Sequence, residues 1–357
     1  MKQSKHFSKK LAALVAGGLF SLSFASASAA ETRSLALSES VELALENNRS
    51  IKSSVTDVDA ADWAYHEARR TAGPKLTLST QGNRVGGKAY KMYDHDYAFR
   101  SSAALSFPLY TGGSIERGIE AARYGVNNAD LALEGTKQAV RYQTTGQYFK
   151  ALEYRNLIKV GEMSVANLKS HLANVNAQYK VGTVARSDVL ASQVSLANAE
   201  QSLVNVTNNY DVAIAELNKI IGLPTGTKLS LADELAYRKY DLSLEDCTEY
   251  ALAHRADGIA ADYAVRQANA AMEATRGASL PQVSAAASRT VGGDSLFSNN
   301  TDSADTWSIG IQANWAAFDN NVTQAQVNQK RAAVHKLQQA AEDTREQIAL
   351  DVQTAYL

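Results

Sequence analysis

The sequence predicts a membrane α+β protein in which strand hairpins suited to a β-barrel lead into very long coiled-coil helices. Three observations predict it. The chain repeats itself at a spacing of about 207 residues. Leu37-Ser38-Glu39-Ser40-Val41-Glu42-Leu43-Ala44-Leu45 lines up with Leu244-Glu245-Asp246-Cys247-Thr248-Glu249-Tyr250-Ala251-Leu252, and Pro74 with Pro281. Val85-Gly86-Gly87 answers Val291-Gly292-Gly293, and Phe107-Pro108-Leu109-Tyr110-Thr111-Gly112-Gly113 answers Trp315-Ala316-Ala317-Phe318-Asp319-Asn320-Asn321. Second, no proline stands between Pro108 and Pro224, and heptads fill that interval. Third, the period changes to two just ahead of each long helix.

A repeat of this length is too long for a solenoid unit, so each copy holds several elements. The first copy is expected over 31–237 and the second over 238–357. The second is incomplete: 139–149 answers 347–357, Lys150 to Ala236 has no counterpart, and the chain stops inside a helical pattern.

Residues 1–30 read as a secretory signal peptide, with Lys2, Lys5, Lys9 and Lys10, an apolar stretch from Leu11 to Phe24, and small residues from Ala25 to Ala30. The mature chain is expected to begin near Glu31, with no cysteine there to carry a lipid. Losing four lysines from 36 basic residues against 37 acidic ones leaves a mildly acidic chain without a basic stripe, which argues against nucleic acid. Nothing after residue 30 approaches the roughly 18 apolar residues of a membrane-spanning helix, so any crossing must be made by strands. Cys247, the only cysteine, excludes an internal disulfide and reads as a packed or half-buried structural thiol.

The first strand hairpin is expected at about 75–108, with Lys75 to Arg84 as one strand. In the other, Phe99, Ser101, Ala103, Leu105 and Phe107 face one way and Arg100, Ser102, Ala104 and Ser106 the other. A long helix follows from near Ser114. Ile158, Val165, Leu172 and Tyr179 recur every seven residues, as do Tyr154, Gly161, Leu168 and Val175. The returning segment repeats the pattern with Val189, Leu196, Leu203, Tyr210 and Leu217, and with Ala199, Val206, Ala213 and Ile220. A sustained period of 3.5 predicts an antiparallel coiled-coil hairpin over about 114–221, and about 67 residues at ~1.5 Å each make a helix of ~100 Å. Its tip is expected at 180–188, where Gly182 takes a left-handed conformation and Ser187 or Asp188 caps the next helix.

The second strand hairpin is expected at about 282–316. Gln282 to Thr290 forms one strand, and in the other Trp307, Ile309, Ile311, Ala313 and Trp315 alternate with Ser308, Gly310, Gln312 and Asn314. A helix over 322–357 follows. Four strands of about ten residues suit an outer membrane but cannot close a barrel, and open edges are not tolerated in lipid. Several copies must therefore pool their strands.

Signal peptide, duplicated half, strand hairpin per half and coiled-coil tip together resemble the TolC family of outer membrane efflux proteins. The match rests on Leu37 to Leu45, Pro74, Phe107 to Gly113, Tyr179-x-x-Gly182-x-x-x-x-x-Asp188-Val189-Leu190, and Ile221-Gly222-Leu223-Pro224. The resemblance implies a homotrimer with a 12-stranded β-barrel in outer-membrane lipid, continued across the periplasm by an α-helical coiled-coil barrel. It implies a passive exit duct of a tripartite efflux or type I secretion system, reached by an inner-membrane pump through a periplasmic adaptor protein. By position, Asp188 matches a tip aspartate that takes part in gate-closing contacts. The acidic constriction belongs to the second tip, before which this chain stops. On that basis the seam of the second long helix is expected to lie exposed, and this polypeptide is expected not to form a sealed, gated tunnel.

Gly182, Thr183, Val184, Arg186, Ser187 and Asp188 are the candidate gate and adaptor-docking residues. Asp188 carries a second reading, since an acid in the first turn of a helix is favoured by the helix dipole. Phe99, Phe107, Trp307 and Trp315 read as lipid-facing or interface aromatics; a soluble sandwich core has the same alternation. The six histidines form no ligand cluster, the carboxylates lie along helix faces, and Asp94-His95-Asp96 reads as a solvated turn. No metal, cofactor or catalytic set is expected. The alternative function is a trimeric surface-anchored structural or adhesive coiled coil, disfavoured because hairpins occur in both halves.

Overall fold

The computed structural model describes residues 33–84, 97–237, 239–293 and 305–357. The signal stretch 1–30, Val85-Gly86-Gly87 and Asp94-His95-Asp96 lie outside the described residues. The chain divides into two compact units. Among the described residues one comprises 33–39, Tyr148–Lys219 and Leu223–Glu234, and the other those of 40–147, Ile220–Gly222 and those of 235–357. In chain order the elements are β1 (Arg33–Leu35), α1 (Leu37–Asn47), α2 (Arg49–Arg70), β2 (Lys75–Arg84), β3 (Tyr97–Tyr110), α3 (Ser114–Lys180) and α4 (Arg186–Ile221). Then follow β4 (Leu229–Leu231), α5 (Leu244–His254), α6 (Ala256–Gly277), β5 (Gln282–Gly293), β6 (Thr306–Asn314) and α7 (Val322–Tyr356).

Helix α3 runs 67 residues without a break. Within the first unit it pairs with α4 along the seams expected from the heptads: Val165, Val175, Val189, Ala213 and Leu217 are buried. Gly161 lets the helices close up, because a Cβ there would lie 3.1 Å from Leu203 Cδ1. Tyr179, the last residue of its seam, is exposed instead, since it sits where the helices part at the tip. Lys169 and Glu200 form an exposed cross-helix ion pair at 3.1 Å, worth about 0.2–1 kcal/mol.

This unit also holds a two-stranded parallel sheet of β1 and β4, pairing Arg33 with Leu229 and Leu35 with Leu231. Three-residue strands leave no periodicity to read, so the sequence offered no sign of them. A clasp fastens the sheet to α3. Tyr148, fully buried, places its hydroxyl 2.8 Å from Asp233 Oδ2 and 3.0 Å from the Leu35 carbonyl. Arg155 donates to the Leu231 and Asp233 carbonyls at 2.7 and 2.8 Å. Burial, then Asp233, pushes the Tyr148 hydroxyl up to about 12. The Leu37 N–H, 2.8 Å from Oδ2, and the Tyr148 hydroxyl hold the Asp233 carboxyl below its usual value.

A depressed carboxyl contributes stability that is present above its unfolded value near pH 4 and is lost as pH falls through the folded value. Between pH 5 and 3 the denaturation midpoint of this unit is expected to fall less in Asp233→Asn than in the parent chain. Parallel falls in the two proteins would remove Asp233 from the account.

In the second unit the order α1, α2, β2, β3, α3 is echoed by α5, α6, β5, β6, α7. Helices α1 and α5 each have 11 residues, and α2 and α6 each have 22. Equivalent caps differ: Asn48 accepts from the Ser50 N–H at 2.8 Å, whereas Arg255, with no cap to offer, bonds Asp257 and Asp351. Helix α7 packs on α6 and α5, assisted by Arg345 to Asp262 at 2.6 Å. Val327, Val334, Ala341 and Ile348, seven residues apart, are all buried. From Val327 to Ile348 the expectation of an exposed seam is therefore corrected, because α5 and α6 of the same copy pack there; at the end of the helix it stands, with Tyr356, the counterpart of buried Tyr148, exposed.

Candidate functional site: a two-faced sheet and a helical tip

The strands of the second unit form a four-stranded sheet in the order β2-β3-β5-β6, antiparallel throughout. Its register explains the two-residue alternation. Leu76, Leu105, Ala287 and Ile309 stand side by side, and so do Phe107, Ala285 and Ile311. One residue along, on the opposite face, Thr77, Ala104, Ser288 and Ser308 are aligned, followed by Ser79, Ser102, Thr290 and Thr306. Hydroxyl pairs lace this polar face, Ser79 to Ser102 at 2.7 Å and Ser288 to Ser308 at 2.9 Å.

The apolar face is bare. Leu78, Ile309 and Ile311 are 73%, 77% and 73% exposed, an arrangement a water-soluble sandwich would cover with a second layer. The single cation in the middle of that face, Arg289, makes a bidentate pair with Asp305 at 3.0 and 2.7 Å. Among the described residues β2 and β6 each pair on one side only. With four strands alternating in direction, these two edges run opposite ways.

The four aromatics expected at the membrane lie in or beside this sheet. Phe107 and Trp307 project from the apolar face, and Phe99 lies over Gly82, where a Cβ would be 2.6 Å from its ring. Trp315 follows β6 and donates its indole N–H to the Ser279 carbonyl at 3.1 Å. Sequence reasoning passed over Leu76 and Leu78 individually, although their alternation with Thr77 and Ser79 carried the signal.

The six tip residues fall on one turn in the first unit. Gly182 is left-handed at φ 76°. The Gly182 N–H bonds the Tyr179 carbonyl and the Thr183 N–H the Gln178 carbonyl, both at 3.0 Å, closing α3 with the paired bonds of a left-handed helix end. Asp188 does not stand at the cap itself. It sits in the first turn of α4, and its Oδ2 accepts from the Ala185 N–H at 3.0 Å, the return half of a capping box. Gly182, Thr183, Arg186, Ser187 and Asp188 are exposed, and Val184 is half-buried.

A family model described as outer membrane efflux protein matches residues 40–223 and 248–357. The chain belongs to that family. It is a protein of the outer membrane that extends into the periplasm, as the efflux family is placed. Outer membrane efflux protein BepC of Brucella suis is 25% identical over 308 residues, covering 84% of this chain and 65% of the Brucella protein. The chain thus spans about two thirds of that relative's length. The Campylobacter jejuni CmeC outer membrane channel superposes with a TM-score of 0.75 at 17% identity, over 86% of this chain and 67% of the other. The outer membrane protein VceC of Vibrio cholerae gives 0.72 at 14%, over 87% and 75%. The efflux-family fold of a membrane sheet joined to long helices is thereby established for this chain.

Proposed function

We propose that this chain is a protomer of a passive exit duct. Three copies close a 12-stranded barrel in outer-membrane lipid, and their helices carry the tunnel through the periplasm. The observation that carries this reading is the sheet: apolar on one face, hydroxyl-rich on the other, with two open edges of opposite direction. Beside the β2 of a neighbour, β6 continues the antiparallel alternation, so closure removes every unpaired edge that lipid would penalise. The polar face then lines water and the apolar face meets lipid, with Phe99, Phe107, Trp307 and Trp315 as anchors.

Residues 1–30 are removed on export, and 31–237 and 238–357 are two copies of one module. The turn from Gly182 to Asp188 docks a periplasmic adaptor, through which an inner-membrane pump of an efflux or type I secretion system delivers substrate. The duct itself supplies no energy. Single-channel conductance of the purified oligomer in planar bilayers tests the reading. Current through the inserted oligomers is expected; oligomeric barrels that insert and pass no current would overturn it.

Asp188→Ala tests the tip. Loss of its bond from Ala185 costs about 0.5–1.5 kcal/mol locally, and a gate role adds a rise in conductance and in sensitivity to antibiotics and detergents. Unchanged conductance would reduce Asp188 to a helix-capping residue.

A further inference from the structure

The sheet treats two of its arginines in opposite ways. Arg289 stands on the apolar face and is neutralised there by Asp305. Arg100 stands on the hydroxyl-rich face, level with Gln81 of β2 and Gly292 of β5, and two residues along β3 from Ser102. Both flanking residues are neutral, and Arg100 is exposed. The strands β2, β3, β5 and β6 contain no Asp or Glu, and among the described residues no ion pair reaches Arg100. Lys75, at the foot of the same face, shares a hollow with Glu67. Among the described residues Arg100 is thus the cation of that face that no acid accompanies. It lies about 20 Å along β3 from Ser106, the partner of Lys75, toward the end of the sheet away from the helices.

We propose that Arg100 gives the barrel of the duct a preference for anions. One guanidinium per copy forms a cationic ring facing the water path, and the solutes it favours carry carboxylate, sulfate or phosphate groups. A guanidinium meets such groups with two parallel N–H donors. The proposal rests on the trimeric duct and adds the chemical class of solute that its outer end favours.

The dimensions let so few charges act. Twelve strands about 4.8 Å apart and tilted by about 40° make a wall about 24 Å across. Three charges about 10 Å from the axis are then separated from it by little more than the Debye length of about 8 Å at physiological salt. At the dielectric constant of water their field favours a monovalent anion over a cation on the axis by about threefold. Hydroxyl pairs such as Ser79 with Ser102 and Ser288 with Ser308 satisfy one another and add no charge to oppose it.

The test is the reversal potential of the inserted oligomer in planar bilayers under a potassium chloride gradient. Relative to the parent chain, Arg100→Gln is expected to lower the chloride-to-potassium permeability ratio about threefold and Arg100→Glu about tenfold, while Arg100→Lys keeps it. At 1 M salt, where the Debye length is about 3 Å, the parent and Arg100→Gln should converge. On a Cys247→Ser background, Arg100→Cys treated after assembly with a cationic thiosulfonate reagent should regain the parent ratio, which separates charge from any effect on folding. Conducting oligomers with the same ratio for the parent, Arg100→Gln and Arg100→Glu would overturn the ring and leave the duct standing. Parent oligomers that insert and pass no current would overturn both.

Discussion

Ile309→Arg is expected to abolish assembly in the membrane while leaving the helices folded. Ile309 lies midway along β6, between Trp307 and Ile311, on the face where Leu76, Leu105 and Ala287 form one row. In the proposed closed barrel that position sits near the bilayer midplane, where an arginine costs about 2–4 kcal/mol. Every protomer contributes the same residue, so in a trimer the cost enters three times. Arg289 gains no such tolerance for its neighbour, because its charge is already answered by Asp305. The measurement is the fraction of protein recovered as heat-modifiable oligomer from outer membranes, with circular dichroism of the detergent-extracted chain reporting the helices. Ser308→Arg, one residue away on the polar face, is the control and should assemble. Equal yields for the two variants would show that the apolar face does not meet lipid.

The second large effect is expected at the foot of the strands. Gly112 is left-handed at φ 62°, and a Cβ there would stand 2.3 Å from the Gly277 carbonyl oxygen. The approach is mutual, for a Cβ at Gly277 would lie 2.8 Å from both the Gly112 oxygen and the Ser114 nitrogen. Gly112→Ala therefore incurs a left-handed penalty of roughly 1–2 kcal/mol and must also force apart the turn leaving β3 and the end of α6. Since backbone atoms oppose the methyl, no side-chain rotation relieves it. The opposite is expected at a half-buried helix-interior glycine, Gly118, which has nothing within 4 Å of its Cβ position, so that Gly118→Ala should gain stability. Urea denaturation of the two variants decides it; equal midpoints would mean that the two segments separate at no cost.

Much of this architecture was legible because long-period signals survive in a single sequence. Seven-residue spacing located the paired faces of α3 and α4 down to Val165, Val175 and Val189, and two-residue spacing located the strands and the faces of β6. Both signals depend on one side chain in a few meeting a neighbour repeatedly. What escaped depends on single contacts between distant residues. The β1 and β4 pairing joins Leu35 to Leu231, and the Tyr148 clasp reaches across to Asp233; neither leaves a pattern along the chain. The covering of Val327 to Ile348 was misjudged for a related reason. The seam was matched to the hairpin helices of the first copy, whereas α5 and α6 supply its partners. At the tip, residue types suggested a cap at Ser187 or Asp188, but a reciprocal bond from one turn inside the helix has the same composition.

The two strand edges carry a consequence for the chain before it has met its copies. A single exported protomer would present Leu76, Leu78, Trp307, Ile309 and Ile311 to water beside two unsatisfied rows of backbone groups, a template for pairing with any extended peptide. Because closure needs several chains at once, its rate rises steeply with their supply, while capture by the wrong strand or by a protease needs only one. Halving synthesis should therefore reduce finished ducts by more than half, and the surplus should be found as degraded monomer. On the proposed assembly, the abundance of the duct is decided by a race in the periplasm.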